Sequence, residues 1–230
     1  VRSYNQFCAM ARALDVVGDR WTLLIVRELL TQGPCRYSDL QRGLPGIASN
    51  LLADRLRDME ASGIVERREE PPPIGTTLIR LTERGRDLAG VARELIRWGA
   101  PLMLTPQGDA AFRMHWFSMP MRFLARDNTP EAQPATVRFG SLSDGCDALI
   151  ADGSVEVVAC STDREPDAVV DGPPEILVAL FTGMTDIAGA IDGGLVVSGS
   201  MAAVRRMVPR PGPTAAPDRS TTPATGRLPS

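Results

Sequence analysis

Lysine is absent from this 230-residue sequence, and all 25 of its formal cations are arginine. With 21 Gly and 19 Pro, that bias points to a GC-rich genome. Histidine is almost absent too, since His115 stands alone and has no acidic or Cys neighbour in sequence. No His–Asp pairing, nucleophile motif or phosphate-cradling Gly loop is evident, so enzyme chemistry is not indicated. The four cysteines form no CxxC and no paired spacing, which argues against a zinc site and a disulfide framework. No cofactor or metal is expected. No apolar run reaches the roughly 18 residues a membrane helix needs, and no signal peptide is recognised. The expectation is a soluble cytoplasmic protein with no membrane partner.

Strong charge of either sign is also missing. Residues 1–104 hold 15 Arg against 13 Asp and Glu, a net of +2, while residues 105–230 hold 10 against 15, a net of −5. The first part suits a nucleic-acid module that concentrates its arginines locally rather than a strongly basic one. The acidic second part is not expected to touch nucleic acid.

What is present is a short helix, a turn, a longer helix and two strands between Arg36 and Leu81. From Ser49 to Ala61, Leu52, Leu56 and Met59 recur at helical spacing, and Gly63 suits a C′ position. That face can sit on Leu40, Leu44 and Ile64. The opposite face offers Asn50, Ala53, Asp54 and Arg57. An amphipathic helix alone also serves ordinary packing, so the strands that follow carry weight. They read as Val65–Arg68 and Thr77–Leu81 around a tip at Glu69–Thr76, where Pro71, Pro72 and Pro73 cannot join a ladder. The whole is the grammar of a winged helix-turn-helix, with double-stranded DNA as the partner. The start of a recognition helix enters the major groove, where Asn and Arg read base edges and Ser49 and Asn50 can meet phosphate. Candidate DNA contacts are Arg36, Ser49, Asn50, Ala53, Asp54, Arg57, Arg67 and Arg68. Glu69 and Glu70 are awkward beside DNA and are expected to point away.

Helices are also expected at Met10–Val17, Arg20–Leu30 and from Thr82 as N-cap to about Leu104. The second of these is nearly all apolar and should be buried on several sides. The last carries an apolar stripe of the kind that often makes a dimer.

Residues 8–104 resemble the HxlR-type family of bacterial transcriptional regulators. The resemblance is carried by Cys8 and the segments 11–29 (ARALDVVGDRWTLLIVREL), 36–68 (RYSDLQRGLPGIASNLLADRLRDMEASGIVERR) and 81–85 (LTERG). It implies a winged helix-turn-helix homodimer. The chain departs from the family's usual pattern at Ala9, where Pro is common, and at Leu78-Ile79-Arg80, where a Tyr usually precedes the LT pair. The position of Asn50 is often basic in relatives. The resemblance also marks Cys8 as a candidate sensor of oxidants or electrophiles, which would require a lowered thiol pKa and solvent access. Cys35, Cys146 and Cys160 read as small apolar residues.

After a linker at 105–108, residues 109–127 are rich in Met and aromatics, as suits an adaptable apolar pocket or a plain core. Candidate ligand contacts are Trp98, Met103, Met114, Trp116, Phe117, Met119, Phe123 and Phe181. Strands follow from Ala135, with an Asp152-Gly153 hairpin turn. Two helices at Pro174–Thr182 and Asp186–Ile191, a strand at Leu195–Ser198 and a helix at Ala202–Met207 complete the pattern. Residues 135–208 are similar to the sterol carrier protein type-2 fold, chiefly through 171–207 (DGPPEILVALFTGMTDIAGAIDGGLVVSGSMAAVRRM). That resemblance implies a pocket for a lipid or other apolar molecule.

The fold class expected is α+β. An N-terminal winged helix-turn-helix at 1–104 serves DNA binding and dimerisation. A Met/aromatic connecting segment (105–134), a sterol-carrier-like α/β sheet domain (135–208) and a Pro/Ser/Thr-rich disordered tail (209–230) follow. The function expected is a homodimeric repressor on an inverted-repeat operator, released by a small apolar ligand. Alternatives are a redox-sensing repressor triggered at Cys8, and a carrier of apolar metabolites that uses the winged part as a scaffold.

Overall fold

The computed structural model describes residues 3–71, 75–104, 108 and 110–209. Pro72, Pro73, most of the linker at 105–108 and the tail from residue 210 onwards therefore lie outside the described residues. The chain is mixed α and β, and it begins as a winged helix-turn-helix. Helices α1 (Ala9–Val17), α2 (Thr22–Gln32), α3 (Tyr37–Gly43) and α4 (Ser49–Ala61) precede strands β1 (Val65–Glu70) and β2 (Thr76–Leu81) and helix α5 (Glu83–Gly99).

The local reasons are visible residue by residue. Helix α2 starts two residues later than Arg20 because the Asp19 carboxylate takes the Trp21 N–H at 3.0 Å. It ends at Gly33, which sits at φ +76°. Gly63 (φ +68°) follows α4 as the left-handed residue that closes a helix. The antiparallel β1–β2 ladder runs on to Glu70↔Thr76, so the wing strands are longer than Val65–Arg68 and the tip shorter. Thr82 caps α5, its hydroxyl accepting the Gly85 N–H at 3.0 Å. The α-helix stops at Gly99 rather than near Leu104. Pro101 has no N–H to continue it, and the chain tightens into a 3-10 turn at Ala100–Leu104.

One buried cluster joins these elements: Ile25, Val26 and Leu29 of α2, Leu40 and Leu44, Leu52, Leu56 and Met59 of α4, and Ile64, Val65, Ile79 and Leu81 of the wing. The apolar stripe of α4 is thus spent entirely inward, which leaves its polar face outside.

A second cluster begins at Met114. A 3-10 turn (Met114–Phe117) and α6 (Ser118–Leu124) lead into strands β3 (Ala135–Gly140), β4 (Gly145–Ala151), β5 (Ser154–Ala159) and β6 (Ala168–Asp171). Helices α7 (Pro174–Phe181) and α8 (Ile187–Asp192), strand β7 (Val196–Gly199) and helix α9 (Met201–Met207) follow. The sheet order is β5-β4-β3-β6-β7, with β3 and β6 parallel and the other pairs antiparallel. Asp152 and Gly153 turn the β4–β5 hairpin with φ of +50° and +80°, the paired positive values of a type I′ turn. The Met/aromatic segment does more than connect: Met114, Phe117, Met121 and Ala125 are buried with the sheet residues. Phe117, Phe139 and Phe181 meet as an aromatic trio, mostly edge-to-face, with centroids 5.3–6.3 Å apart.

Two buried ion pairs pin this part together. Arg138 of β3 makes a two-pronged contact with Asp147 opposite it on β4, at 2.7 and 2.9 Å, and Arg164 adds a third bond at 2.9 Å. Arg206 of α9 grips Asp127 at 2.6 and 2.9 Å. Such forks satisfy both charges at once, which is the condition for burying them.

Candidate functional site

Two surfaces carry the functional argument. The first is the outer face of α4. Tyr37 of α3 donates to the Ser49 carbonyl at 2.6 Å, and Gln41 donates to the Ser49 hydroxyl. These bonds fix the start of α4 against the helix before it. Ser49, Asn50 and Arg57 are exposed, with Ala53 and Asp54 half-buried between them. The Arg57 guanidinium is bonded to Asp54 one turn back. Asn50 makes no side-chain hydrogen bond among the described residues and is free to meet an external partner.

Arg36, at the N-cap of α3, is exposed, and its own N–H goes to Asp39 at 3.2 Å. Arg67 reaches back to Glu60 of α4 at 3.4 Å, whereas Arg68 faces Glu70 at 3.6 Å on the other side of the wing. Adjacent strand residues point to opposite faces, so the two wing arginines cannot share one partner.

The second surface is the seam between the two clusters, where α2 packs on the Met114–Phe117 turn and on β5. At its centre lies Glu28, fully buried in α2. Arg27 Nε and Nη2 donate to its Oε1 at 3.0 and 2.8 Å, and Gln32 Nε2 donates to its Oε2 at 2.7 Å. His115 lies between two carboxylates, with Nε2 2.8 Å from Glu28 Oε2 and Nδ1 2.9 Å from Asp144 Oδ1. The expectation of a histidine without an acidic partner is therefore corrected. Both partners are distant in sequence and are brought together only by folding. Burial disfavours charge on this ring, but the hydrogen bonds and charges of Glu28 and Asp144 outweigh it and hold the His115 pKa above its ordinary value. A doubly protonated ring is the form that donates to both carboxylates.

The same cluster touches the helix-turn-helix. Gly43 ends α3, and a Cβ placed there would lie 2.1 Å from Glu28 Oε2. Glycine is required at that position for close approach, not for an unusual φ. On the far side, the Arg27 guanidinium stacks over Trp116, 4.1 Å from the ring centroid. The Trp116 indole N–H finds no acceptor among the described residues.

Beside Trp116 the seam opens into two apolar hollows of about 320 and 360 Å³. Of the residues predicted from sequence to hold a ligand, Met103, Trp116 and Phe117 line the first and Phe123 lines the second. Met114, Met119 and Phe181 are buried, and Trp98 stands on the outside of α5 with 75% of its surface exposed. Sequence reasoning missed Arg27, Ile96, Leu124, Val178 and Thr182, which come from four helices and share no local pattern.

Cys8 is exposed and is the N-cap residue of α1. The backbone N–H groups of Ala11 and then Met10 lower its thiol pKa. Burial pushes Cys35 and Cys146 up to about 12, and Cys160 up to about 11, so these thiols are inert at neutral pH. No group of three or more His, Cys, Asp or Glu among the described residues could hold a metal ion. No described helix is long and apolar enough to cross a membrane.

A helix packed behind its polar face, followed by a two-stranded wing, defines a winged helix-turn-helix protein. Residues 16–106 match the family model for the HxlR-like helix-turn-helix. The chain is 33% identical over 87 residues to the uncharacterised HTH-type transcriptional regulator YvaP of Bacillus subtilis, covering 38% of this chain and 80% of that one. It is 35% identical over 95 residues to the HTH-type transcriptional regulator YodB of the same organism, covering 41% and 84%. A solved structure of YodB in its reduced form aligns over 45% of this chain and all of that chain, at 31% identity and a TM-score of 0.38. The chain belongs to the HxlR family and is a DNA-binding transcriptional regulator.

Proposed function

We propose that the protein is a homodimeric repressor that reads an inverted-repeat operator and is released by a small apolar ligand. The observation that carries this reading is the outer face of α4, where Asn50 and Arg57 are exposed beside a fully buried apolar face. Each copy would place that face in a major groove, with half-sites about one turn apart. Ser49, Ala53 and Asp54 would border the bases, and Arg36, Arg67 and Arg68 would position the protein on phosphates. Dimerisation is supported by exposed apolar residues on two helices: Met10 and Leu14 on α1, with Phe7 just before it, and Val91, Leu95 and Trp98 on α5. The last three recur at spacings of four and three, as one stripe of a helix.

In this reading residues 1–104 bind DNA and pair, 105–134 link the two parts and pack against the sheet, 135–208 form a sterol-carrier-like domain and 209–230 follow it. The sterol-carrier likeness is supported by a five-stranded sheet with helices packed on its core face. The ligand site is the seam, because Arg27 both borders the hollow and holds Glu28, against which α3 packs. A ligand that favours one seam geometry shifts the spacing of the two α4 helices by its differential affinity for the two states. A gel-shift titration on the upstream region tests the reading. Wild type should bind, Asn50→Ala and Arg57→Ala should bind weakly, and unchanged binding by both variants would remove the α4 assignment.

A second reading moves the trigger to Cys8, favoured by its exposure and by the amide hydrogen bonds that stabilise its thiolate. Cys8→Ser would then abolish release by quinones or diamide while leaving DNA affinity intact.

A further inference from the structure

We propose that the groove between α5 and the C-terminal helices is a site for an amphipathic monoanion, an aromatic or short aliphatic body carrying one carboxylate. The inference rests on the ligand-released reading above and adds a charge and an orientation to that ligand. The two hollows share Ile96, Ala100, Pro120, Leu124, Val178 and Thr182, so they are one continuous groove. Its walls are apolar, as small-molecule sites usually are, and a few polar groups must then set orientation.

Among the described residues, every charged residue that lines the groove is an arginine. Arg27 stands at the inner end, Arg93 and Arg97 stand at the mouth, and among the described residues no Asp or Glu lines either hollow. The arginines differ in how far they are already neutralised. Arg27 is bonded to the buried Glu28. Arg93 and Arg97 share the single carboxylate of Glu94, at 3.0 and 3.2 Å. The mouth therefore keeps one positive charge in surplus beside an apolar wall, where a carboxylate is attracted and an ammonium is repelled. The carboxylate belongs at Arg93 and Arg97, and the apolar body lies inward on Leu124, Val178 and Trp116.

The test is isothermal titration of the full chain at low salt with two probes of one shape, 2-naphthoic acid and 2-naphthamide. The acid should bind about five- to tenfold more tightly, the range of a charge-assisted hydrogen bond, and the difference should shrink as salt rises. The double variant Arg93→Gln/Arg97→Gln should bring the acid to the amide's affinity and leave the amide unchanged. Gly99→Leu should block both probes: a Cβ there meets nothing within 4 Å, residue 99 lines the groove, and leucine suits a helix better than glycine. Thermal melting confirms that this variant stays folded.

Equal binding of acid and amide would overturn the charge assignment and leave an apolar site standing. Binding of neither by wild type would remove the apolar-ligand reading itself. Acid binding untouched by the arginine pair or by Gly99→Leu would place the anion elsewhere. If wild type binds neither probe and Gly99→Leu turns a dimer into a monomer, a second copy of the chain covers the groove and the proposal fails.

Discussion

The outer face of α4 and the seam around Glu28 both depend on arginine–carboxylate pairs, yet they use them oppositely. Arg57 is exposed and Asp54 half-exposed one turn back, with one bond between them. Water screens such a pair, and it is worth at most about 1 kcal/mol. Glu28 is fully buried and takes bonds from Arg27, Gln32 and His115. Breaking such a group is costly because the remaining charges have no water to turn to. An exposed pair can be exchanged for a phosphate at little cost, whereas a buried cluster resists change and can transmit it between neighbours. The contrast suits a DNA-binding protein that must hold its two parts in a defined relation.

The largest effect expected is therefore at the seam. Glu28→Ala should lower stability by about 3–5 kcal/mol, because Arg27 and His115 lose a shared buried partner. Urea denaturation measures this directly. Gly43→Ala attacks the same cluster from α3. Its Cβ would collide with a carboxylate that four hydrogen bonds from three residues hold in place, and a loss of about 1–3 kcal/mol is expected. If both variants melt like wild type, the seam is no more rigid than the α4 face and the contrast collapses.

Next in size comes DNA binding. Arg57→Ala should cost about 1–3 kcal/mol of affinity for its DNA site and relax specificity at the base pair it contacts. Its melting temperature should barely move, the reverse of the Glu28 pattern. A gel-shift series read beside a thermal melt separates the two effects.

How much of this was legible follows from the same contrast. The α4 face is written locally, in Leu52, Leu56, Met59 and Gly63, so periodicity and one turn residue place it within the chain. The seam is written in residues far apart: His115 meets Glu28 across 87 positions and Asp144 across 29. One signal was available, because Glu28 and Arg27 sit in a mostly apolar helix and a buried carboxylate needs hydrogen-bond partners, some of which must come from elsewhere in the fold. The groove gave no such hint. Ile96, Leu124 and Val178 look like ordinary core residues until α5 stops at Gly99 and leaves a gap beside them. That stop was itself readable from Pro101, which cannot extend the helix.

A pH titration probes the seam more gently. The His115 pKa is raised in the fold by Glu28 and Asp144 against the cost of burial, and Arg27 stands on the other side of Glu28. The folded state therefore holds a proton that the unfolded chain releases near 6.5. This stabilisation is complete below that value and fades as the pH climbs through the raised folded pKa. Stability should fall over that window, and His115→Gln should flatten the slope. The acid limb should survive the substitution. It belongs chiefly to Asp127, which Arg206 holds well below the usual carboxylate range, and to Asp147, where burial is outweighed by hydrogen bonds from Arg138 and Arg164; their contribution is present above about pH 4 and is lost as the pH falls.

The smallest effect expected tests whether the α4 pair is a true exchange site. Asp54→Asn keeps the shape of the side chain and removes its charge, which frees Arg57 and deletes a negative group close to DNA. Stability should change by less than about 1 kcal/mol, since the pair lies at the surface with Arg57 exposed. Affinity for any duplex should rise, and more at low salt than at high salt, because one more phosphate can be neutralised and its counterion released. Binding isotherms at two salt concentrations, on operator and on random sequence, give the slopes directly. A rise confined to the operator would mean that Asp54 discriminates bases. No rise on either duplex would mean that Arg57 meets a base edge while still bonded to Asp54, and the α4 pair would then be as fixed in function as the buried cluster is in stability.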